Sequence, residues 1–326
     1  MSDKPRIFLT RELPPKTMEL LQDQSVLTMN DEDRYLTKQE IMNGIQGVDG
    51  LLCLLTDVID DEILAANPAL KVVANFAVGF NNVDVDAATA RKIPVTNTPG
   101  VLTETTADMA FALLLDVARR VSEGDRFVRA KAWHGWGPLQ FLGADVSHST
   151  LGLIGLGRIG MSMVPRARGF SMNVLYWNRT RLAPSEEASL QVTYCELDEL
   201  LQQSDFVSLH VAQNDETRYL LGKREFSLMK PEALLVNTAR GPIVDEKALV
   251  SALQSGQIAG AGLDVYEREP LLESELYEMD NVVVAPHLGS GTIGTRTKMG
   301  NMAAENCLAA CRGQLPPNLV NPQIYD

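Results

Sequence analysis

The segment 150–160, Thr-Leu-Gly-Leu-Ile-Gly-Leu-Gly-Arg-Ile-Gly, restricts the fold of this chain more than any other stretch. An apolar, strand-like run leads directly into glycines at 155, 157 and 160, spaced G-x-G-x-x-G, and a helix-like stretch follows. Each glycine has its own use in that setting. Gly155 permits a tight turn, Gly157 lets backbone approach a pyrophosphate, and Gly160 lets a helix pack closely on a strand. Free N–H groups and the helix dipole then favour the anion. The loop of Gly155, Leu156, Gly157, Arg158, Ile159 and Gly160 therefore reads as a dinucleotide site. Pro165 falls inside the helix that this loop should open, lacks an N–H donor, and is expected to kink it.

The rest of the chain suits a parallel sheet around such a loop. Short β-type runs at 6–10, 25–29, 50–56, 71–77 and 93–96 alternate with helical stretches at 15–22, 37–43, 61–66 and 85–91. Asp60 or Asp61 is placed to cap the third of these helices. One long helix is expected from 103 to 129, then a loop at 132–138. Strands resume at 150–154, 173–177, 206–210, 234–237, 260–264 and 282–285, and a last helix covers 292–311. Strands joined by helices imply parallel pairing with right-handed crossovers. Near-continuous apolar strands imply helices on both sheet faces. The single restart after the long helix gives an α/β fold of two doubly wound parallel-sheet, Rossmann-like domains. The dinucleotide-binding domain (101–287) is inserted into a discontinuous domain made of 1–100 and 288–326.

Composition narrows the class. Apolar residues make up 45% of 326, enough for a real core. The net charge of −13 argues against general affinity for nucleic acid or anionic lipid, so cations for an anionic substrate must be local. No apolar run approaches the roughly 18 residues that span a bilayer. No cationic leader precedes the first strand, so a cytoplasmic location is expected. Cys53, Cys195, Cys307 and Cys311 are too few and scattered for a disulfide scaffold and read as reduced packing thiols. Cys307 and Cys311, at i and i+4, could share a helix face, but no His nearby completes a metal site, and none is expected.

A site selective for NAD carries Asp or Glu at the end of the strand after the glycine loop. Here that strand ends in Asn178-Arg179-Thr180-Arg181. No carboxylate repels a 2′-phosphate. Arg179 and Arg181 could attract one, and Asn178 and Thr180 could hydrogen-bond it. NADP(H) is therefore the expected cofactor, with NAD(H) possible.

Three further segments each place polar groups just past an apolar strand. They are 234–241 with Arg240, 262–270 with Asp264, Glu267 and Glu269, and 282–287 with His287. In an open parallel sheet, ligands bind beyond the carboxyl ends of the strands. Reduction of a 2-oxo acid needs a cation for the carboxylate, a hydride donor, and a proton donor for the developing alkoxide. Arg offers a planar fork, His exchanges protons near neutrality, and a neighbouring Glu can orient the imidazole.

With these segments in view, the chain resembles the D-isomer-specific 2-hydroxyacid dehydrogenases, most of all the glyoxylate/hydroxypyruvate reductase branch. The likeness extends over nearly the whole length. It rests on 75–79 (Asn-Phe-Ala-Val-Gly), 105–108 (Thr-Thr-Ala-Asp), the glycine loop, 237–241, 262–270 and 286–289 (Pro-His-Leu-Gly). The resemblance implies that Arg240 binds substrate and polarises its carbonyl, that Glu269 pairs with His287, and that His287 is the general acid/base. It implies that Asp264 meets the nicotinamide end, that Thr106 contacts cofactor phosphate, and that Thr238 and Gly289 line the cofactor site. Backbone N–H groups at Val78 and Gly79 would hold the substrate carboxylate. Leu54 would line the pocket, and Trp136 would restrict substrate size from a partner subunit. The resemblance further implies an active-site cleft between the domains that closes on ligand, and a homodimer.

Glyoxylate is the first expected substrate and hydroxypyruvate the second. Other readings are a related dehydrogenase for D-lactate, 3-phosphoglycerate, formate or phosphite, or a non-catalytic, dinucleotide-sensing scaffold. Three positions depart from the family pattern: His148 and Glu232 stand where Gly is usual, and Ala212 where Pro is usual.

Overall fold

The apolar runs of the sequence pair as the alternation requires. The computed structural model describes residues 4–325 and resolves them into two units, residues 4–102 with 291–325, and Thr103–Ser290.

The first unit holds β1 (Arg6–Leu9), α1 (Pro15–Gln24), β2 (Val26–Met29), α2 (Lys38–Gly44), β3 (Gly50–Leu54), α3 (Asp61–Ala66), β4 (Val72–Phe76), α4 (Val85–Ala90) and β5 (Val95–Thr96). Its parallel sheet runs β2-β1-β3-β4-β5. Leu51 and Leu52, pointing to opposite faces, are both fully buried, because helices cover both sides. Asp60 caps α3, its Oδ1 accepting the Ile63 N–H at 3.1 Å.

The second unit holds α5 (Thr103–Arg119), α6 (Val121–Arg129), β6 (Thr150–Ile154), α7 (Arg158–Gly169), β7 (Asn173–Trp177), α8 (Pro184–Leu190), β8 (Thr193–Tyr194), α9 (Leu197–Gln203), β9 (Phe206–Leu209), α10 (Lys223–Leu228), β10 (Leu234–Asn237), α11 (Glu246–Gln254), β11 (Gly260–Leu263) and β12 (Val282–Val284). Its seven-stranded sheet, β12-β11-β10-β9-β6-β7-β8, is parallel throughout. The strand order turns back at β6, which lies between β7 and β9, and ligands of such sheets bind at this switch. The chain then re-enters the first unit through α12 (Ile293–Cys311). Cys307 and Cys311 do share a face of α12: a Cβ at Gly50 would lie 2.7 and 2.8 Å from their sulfurs. The two thiols fill the space that Gly50 leaves.

Several expectations are corrected. The long helix is two, broken at Arg120, whose φ is +56°. The Ala144 N–H binds the Ala118 carbonyl at 2.8 Å and so ends α5. Asp116 accepts the Ser122 N–H at 2.7 Å and steadies the start of α6. The two-residue edge strand β8 was not expected. Leu288–Ser290, expected in the first domain, belong to the second unit, because the Leu288 and Gly289 N–H groups bind Asp264. Val101 and Leu102, expected in the second, pack on the core of the first. Pro165 does not interrupt α7, which continues to Gly169; the ring lies on the solvent side, where water can satisfy the carbonyl it leaves without a donor. His148 has a left-handed φ of +67°, the conformation for which glycine is the usual residue.

Candidate active site

The glycine loop turns at the switch point. Gly155 has φ +99°, and a Cβ there would lie 2.7 Å from the His210 carbonyl carbon and 2.8 Å from the Val211 nitrogen, so only glycine lets β6 end against the chain leaving β9. A Cβ on Gly160 would overlap the Gly155 carbonyl oxygen, so the third glycine sets the approach of α7. Gly157, which precedes α7, differs: nothing in the chain lies within 4 Å of where its Cβ would be. No packing partner demands glycine there, whereas a ligand approaching the bare backbone at a helix N-terminus would. The loop is tied to the end of β7 by the Gly155 N–H to Trp177 O at 2.9 Å and the Leu156 N–H to Asn178 Oδ1 at 2.6 Å. Thr238, just past β10, has a buried hydroxyl oxygen with no hydrogen-bond partner among the described residues. A bare glycine, a helix N-terminus and an orphaned buried hydroxyl fit a dinucleotide.

The two arginines after β7 part company. Arg181 is held by Glu187 through two hydrogen bonds of 2.7 and 2.8 Å and covers the Tyr194 ring at 5.0 Å. Glu187 is buried and also accepts the Tyr176 hydroxyl at 2.7 Å, so it needs this counter-charge. Arg181 is therefore corrected to a structural cation. Arg179 pairs with Glu216 at 2.7 Å, with both side chains largely exposed. Such a pair is weak and yields readily to a better anion. Thr180 beside it is exposed.

Arg240, Glu269 and His287 come together in the second unit. Asn237, the last residue of β10, clamps the turn after it: its Oδ1 accepts the Ala239 N–H and its Nδ2 donates to Arg240 O, both at 3.0 Å. The Arg240 Nη1 donates to Ala239 O at 2.7 Å. Burial presses the guanidinium below its ordinary pKa against the opposing pull of the Glu269 carboxylate, yet arginine stays charged. Glu269 Oε2 meets His287 Nδ1 at 2.8 Å, and its Oε1 accepts the Tyr266 N–H at 3.2 Å. Nδ1 is thus engaged with the carboxylate, and Nε2 is the ring's other nitrogen. His287 has φ +54°, a costly backbone for a side chain with a Cβ. It is held there by its N–H to Asp264 O and Ala285 O, both at 3.0 Å. Asp264 is fully buried, and its carboxylate accepts the Leu288 and Gly289 N–H groups at 2.5 and 2.7 Å. Burial raises the Asp264 pKa, with the two N–H groups and the His287 charge pulling it back. Thr106 Oγ1 donates to Gly289 O at 3.2 Å, so Thr106, Asp264 and Gly289 form one cluster.

Leu54 ends β3, half-buried, and Val78 and Gly79 follow β4, all in the first unit. Trp136 is 83% exposed in the second unit, and so packs on almost nothing in the chain. Among the described residues, no group of three His, Cys, Asp or Glu is gathered as metal ligands would be. No helix among them is long and apolar enough to cross a membrane.

Residue-by-residue reading missed the groups that hold this site. Gly241 is glycine because a Cβ would overlap the Tyr266 carbonyl, so the Arg240 turn rests directly on the backbone of the Glu269 loop. Glu246, at the start of α11 and buried, accepts the Glu267 N–H with one oxygen and the Glu273 N–H at 3.1 Å with the other. It brackets Glu269 on both sides. In sequence its only signal is an acid in a first helical turn, which many helices carry for their dipole. His210, beside Gly155, meets Ser208 Oγ at 2.9 Å, and burial pushes its pKa down to about 4, so it is neutral at pH 7.

Residues 111–289 match the family described as D-isomer specific 2-hydroxyacid dehydrogenase, NAD binding domain. A glyoxylate reductase of Korarchaeum cryptofilum is 48% identical over 323 residues, covering 98% of this chain and 97% of its own. One of Thermococcus litoralis is 45% identical, with 98% of each chain covered. The solved NADPH-dependent glyoxylate/hydroxypyruvate reductase of Sinorhizobium meliloti, in complex with NADP and malonate, aligns with a TM-score of 0.87 at 32% identity, over 98% of this chain and 97% of that one. By sequence and by fold, the chain belongs to the D-isomer specific 2-hydroxyacid dehydrogenase family.

Proposed function

We propose that the protein is a glyoxylate/hydroxypyruvate reductase that favours NADP(H). It reduces a small 2-oxo acid to the D-2-hydroxy acid. The observation that carries this reading is the convergence of Arg240, Glu269 and His287 beyond the ends of β10, β11 and β12, in the unit that also holds the glycine loop. When bound, the reduced nicotinamide supplies the hydride that the carbonyl carbon accepts. Arg240 holds the 2-oxo acid and polarises its carbonyl. Glu269 accepts a hydrogen bond from the Nδ1–H and fixes the ring, and the imidazolium of His287 delivers its Nε2 proton to the carbonyl oxygen as negative charge builds there, leaving a neutral imidazole with Nδ1–H in place. In this assignment Gly155, Leu156, Gly157, Arg158, Ile159 and Gly160 carry the pyrophosphate. Thr106 contacts phosphate, and Thr238, Asp264 and Gly289 line the nicotinamide end. From the first unit, which we take as the substrate domain, Val78 and Gly79 supply carboxylate donors and Leu54 an apolar wall.

NADP(H) preference is supported by the missing carboxylate after β7, by the exposed Arg179 beside Asn178 and Thr180, and by the NADPH-dependent relative. Arg179→Ala is expected to raise KM for NADPH about tenfold, since a charge-assisted contact is lost, and to change KM for NADH far less. Equal effects on both cofactors, measured by steady-state kinetics, would reject the assignment.

A homodimer belongs to this reading. The segment that follows α6 exposes Trp133, Trp136, Leu139 and Leu142, an apolar stretch suited to a second copy, with Trp136 reaching the partner's site. Four buried, unpaired thiols support a reducing compartment, and we assign the cytoplasm. The test is a substrate panel with both cofactors. Glyoxylate should give the highest kcat/KM, hydroxypyruvate a close second, and NADPH should exceed NADH. A branched, bulky 2-oxo acid turning over far better than glyoxylate would overturn the substrate.

A further inference from the structure

Three successive carbonyl groups past the end of β4 are each tied down from one side. The Thr98 N–H donates to Ala77 O at 2.8 Å, the Asn97 amide to Val78 O at 2.7 Å, and the Asn75 amide to Gly79 O at 2.9 Å. These peptides are trans, and a trans peptide carries its N–H opposite its C=O. The N–H groups of Val78, Gly79 and Phe80 therefore face away from those partners. None of the three donates to an acceptor among the described residues.

The tethers are themselves fixed. The Asn97 N–H donates to Asn318 O, and its carbonyl accepts the Asn306 amide, each at 3.2 Å. Asn306 is fully buried on α12 and accepts the Asn318 N–H at 3.1 Å. Asn75, also fully buried, donates to Asn82 Oδ1 at 3.1 Å. The Asn82 amide in turn donates to Leu54 O at 3.1 Å and Asp57 O at 3.0 Å. One network of amides thus fixes the loops after both β3 and β4. Loop backbone left to itself turns its N–H groups toward water or neighbouring carbonyls. Here two side-chain amides and the Thr98 N–H occupy the carbonyls and leave a row of donors uncommitted.

We infer that Asn97 and Asn75 are positioning residues for the substrate carboxylate, holding the peptide N–H groups of residues 79 and 80 as preset donors beside that of Val78, whose peptide the Thr98 N–H holds. The inference rests on the 2-oxo acid reading above. It adds the side chains that set the donors and a third donor, at Phe80. Donors already aimed before binding cost no reorganisation when the anion arrives. A row of neutral donors suits a small carboxylate, and it holds the acid's invariant end rather than its reacting carbonyl.

That distinction fixes the test. A contact made equally in the ground and transition states changes KM and leaves kcat alone. Asn97→Ala removes only the tether to Val78, because the other bonds of residue 97 are made by its backbone. KM for glyoxylate is expected to rise about tenfold, the worth of one hydrogen bond to a charged group. Both kcat and KM for NADPH should stay within about twofold. Asn97→Asp should raise KM further, since a carboxylate cannot donate to Val78 O and repels an anion. Lower thermal stability with an unchanged glyoxylate KM in both variants would overturn the inference and reduce Asn97 to a loop brace. A wild-type enzyme that fails to reduce glyoxylate with either cofactor is a different result, and it would refute the proposed function itself.

Discussion

His287→Ala is expected to lower kcat for glyoxylate reduction by about 10²–10⁴-fold, the usual worth of a positioned general acid, while KM for the nicotinamide cofactor stays near wild type. The second half of the expectation follows from where the residue sits. The imidazole meets Glu269 at 2.8 Å through Nδ1, and its backbone N–H is bound to Asp264 O and Ala285 O. Alanine keeps those backbone bonds and the Leu288 and Gly289 bonds to Asp264. It also relieves none of the left-handed strain at φ +54°, because alanine carries a Cβ too. The loop should keep its shape, and only the proton donor is lost. Stopped-flow separation of hydride transfer from product release would place the loss in the chemical step. Near-wild-type turnover would remove His287 from the mechanism.

Arg240→Ala should cost about 10²–10³-fold in kcat/KM, with KM for the 2-oxo acid raised and kcat lowered together. Both parameters move because, in the proposed reaction, the guanidinium serves two ends of one event: it holds the acid before reaction and meets the charge that grows on the carbonyl oxygen. Partial burial of the guanidinium strengthens that second role, because a charge with less water around it interacts more strongly. The turn that carries the side chain is clamped by Asn237 and seated against the Tyr266 backbone, so it is fixed by strand ends. Arg240→Lys should recover only a small part of the loss, since an ammonium cannot reproduce the planar fork. A lysine variant close to wild type would mean that charge alone suffices, and would contradict the geometry proposed for this residue.

The parts of this fold that were legible in the sequence have a local cause. Buried parallel strands must be continuous apolar runs, and β6 followed by its glycines could hardly be read otherwise. The same is true of Arg240, Glu269 and His287, each a polar group directly after such a run. What the sequence did not reveal depends on contacts between distant segments. Arg120 adopts a left-handed turn because Ala144 N–H ends α5 from 24 residues away in sequence. Arg181 looked as available as Arg179 until a buried Glu187 claimed it. Gly241 and Glu246 brace the Glu269 loop through backbone, which leaves no side-chain pattern to read. The amides of Asn75 and Asn97 are silent for the same reason.

The central claim is that the protein delivers a hydride and a proton to a small 2-oxo acid with D stereochemistry. Glycolate has no stereocentre, so hydroxypyruvate is the decisive substrate. Wild-type enzyme with NADPH and hydroxypyruvate should form D-glycerate in a one-to-one ratio with cofactor oxidised, and chiral analysis of the product reads this directly. Formation of L-glycerate, or no cofactor oxidation with either hydroxypyruvate or glyoxylate, would contradict the account.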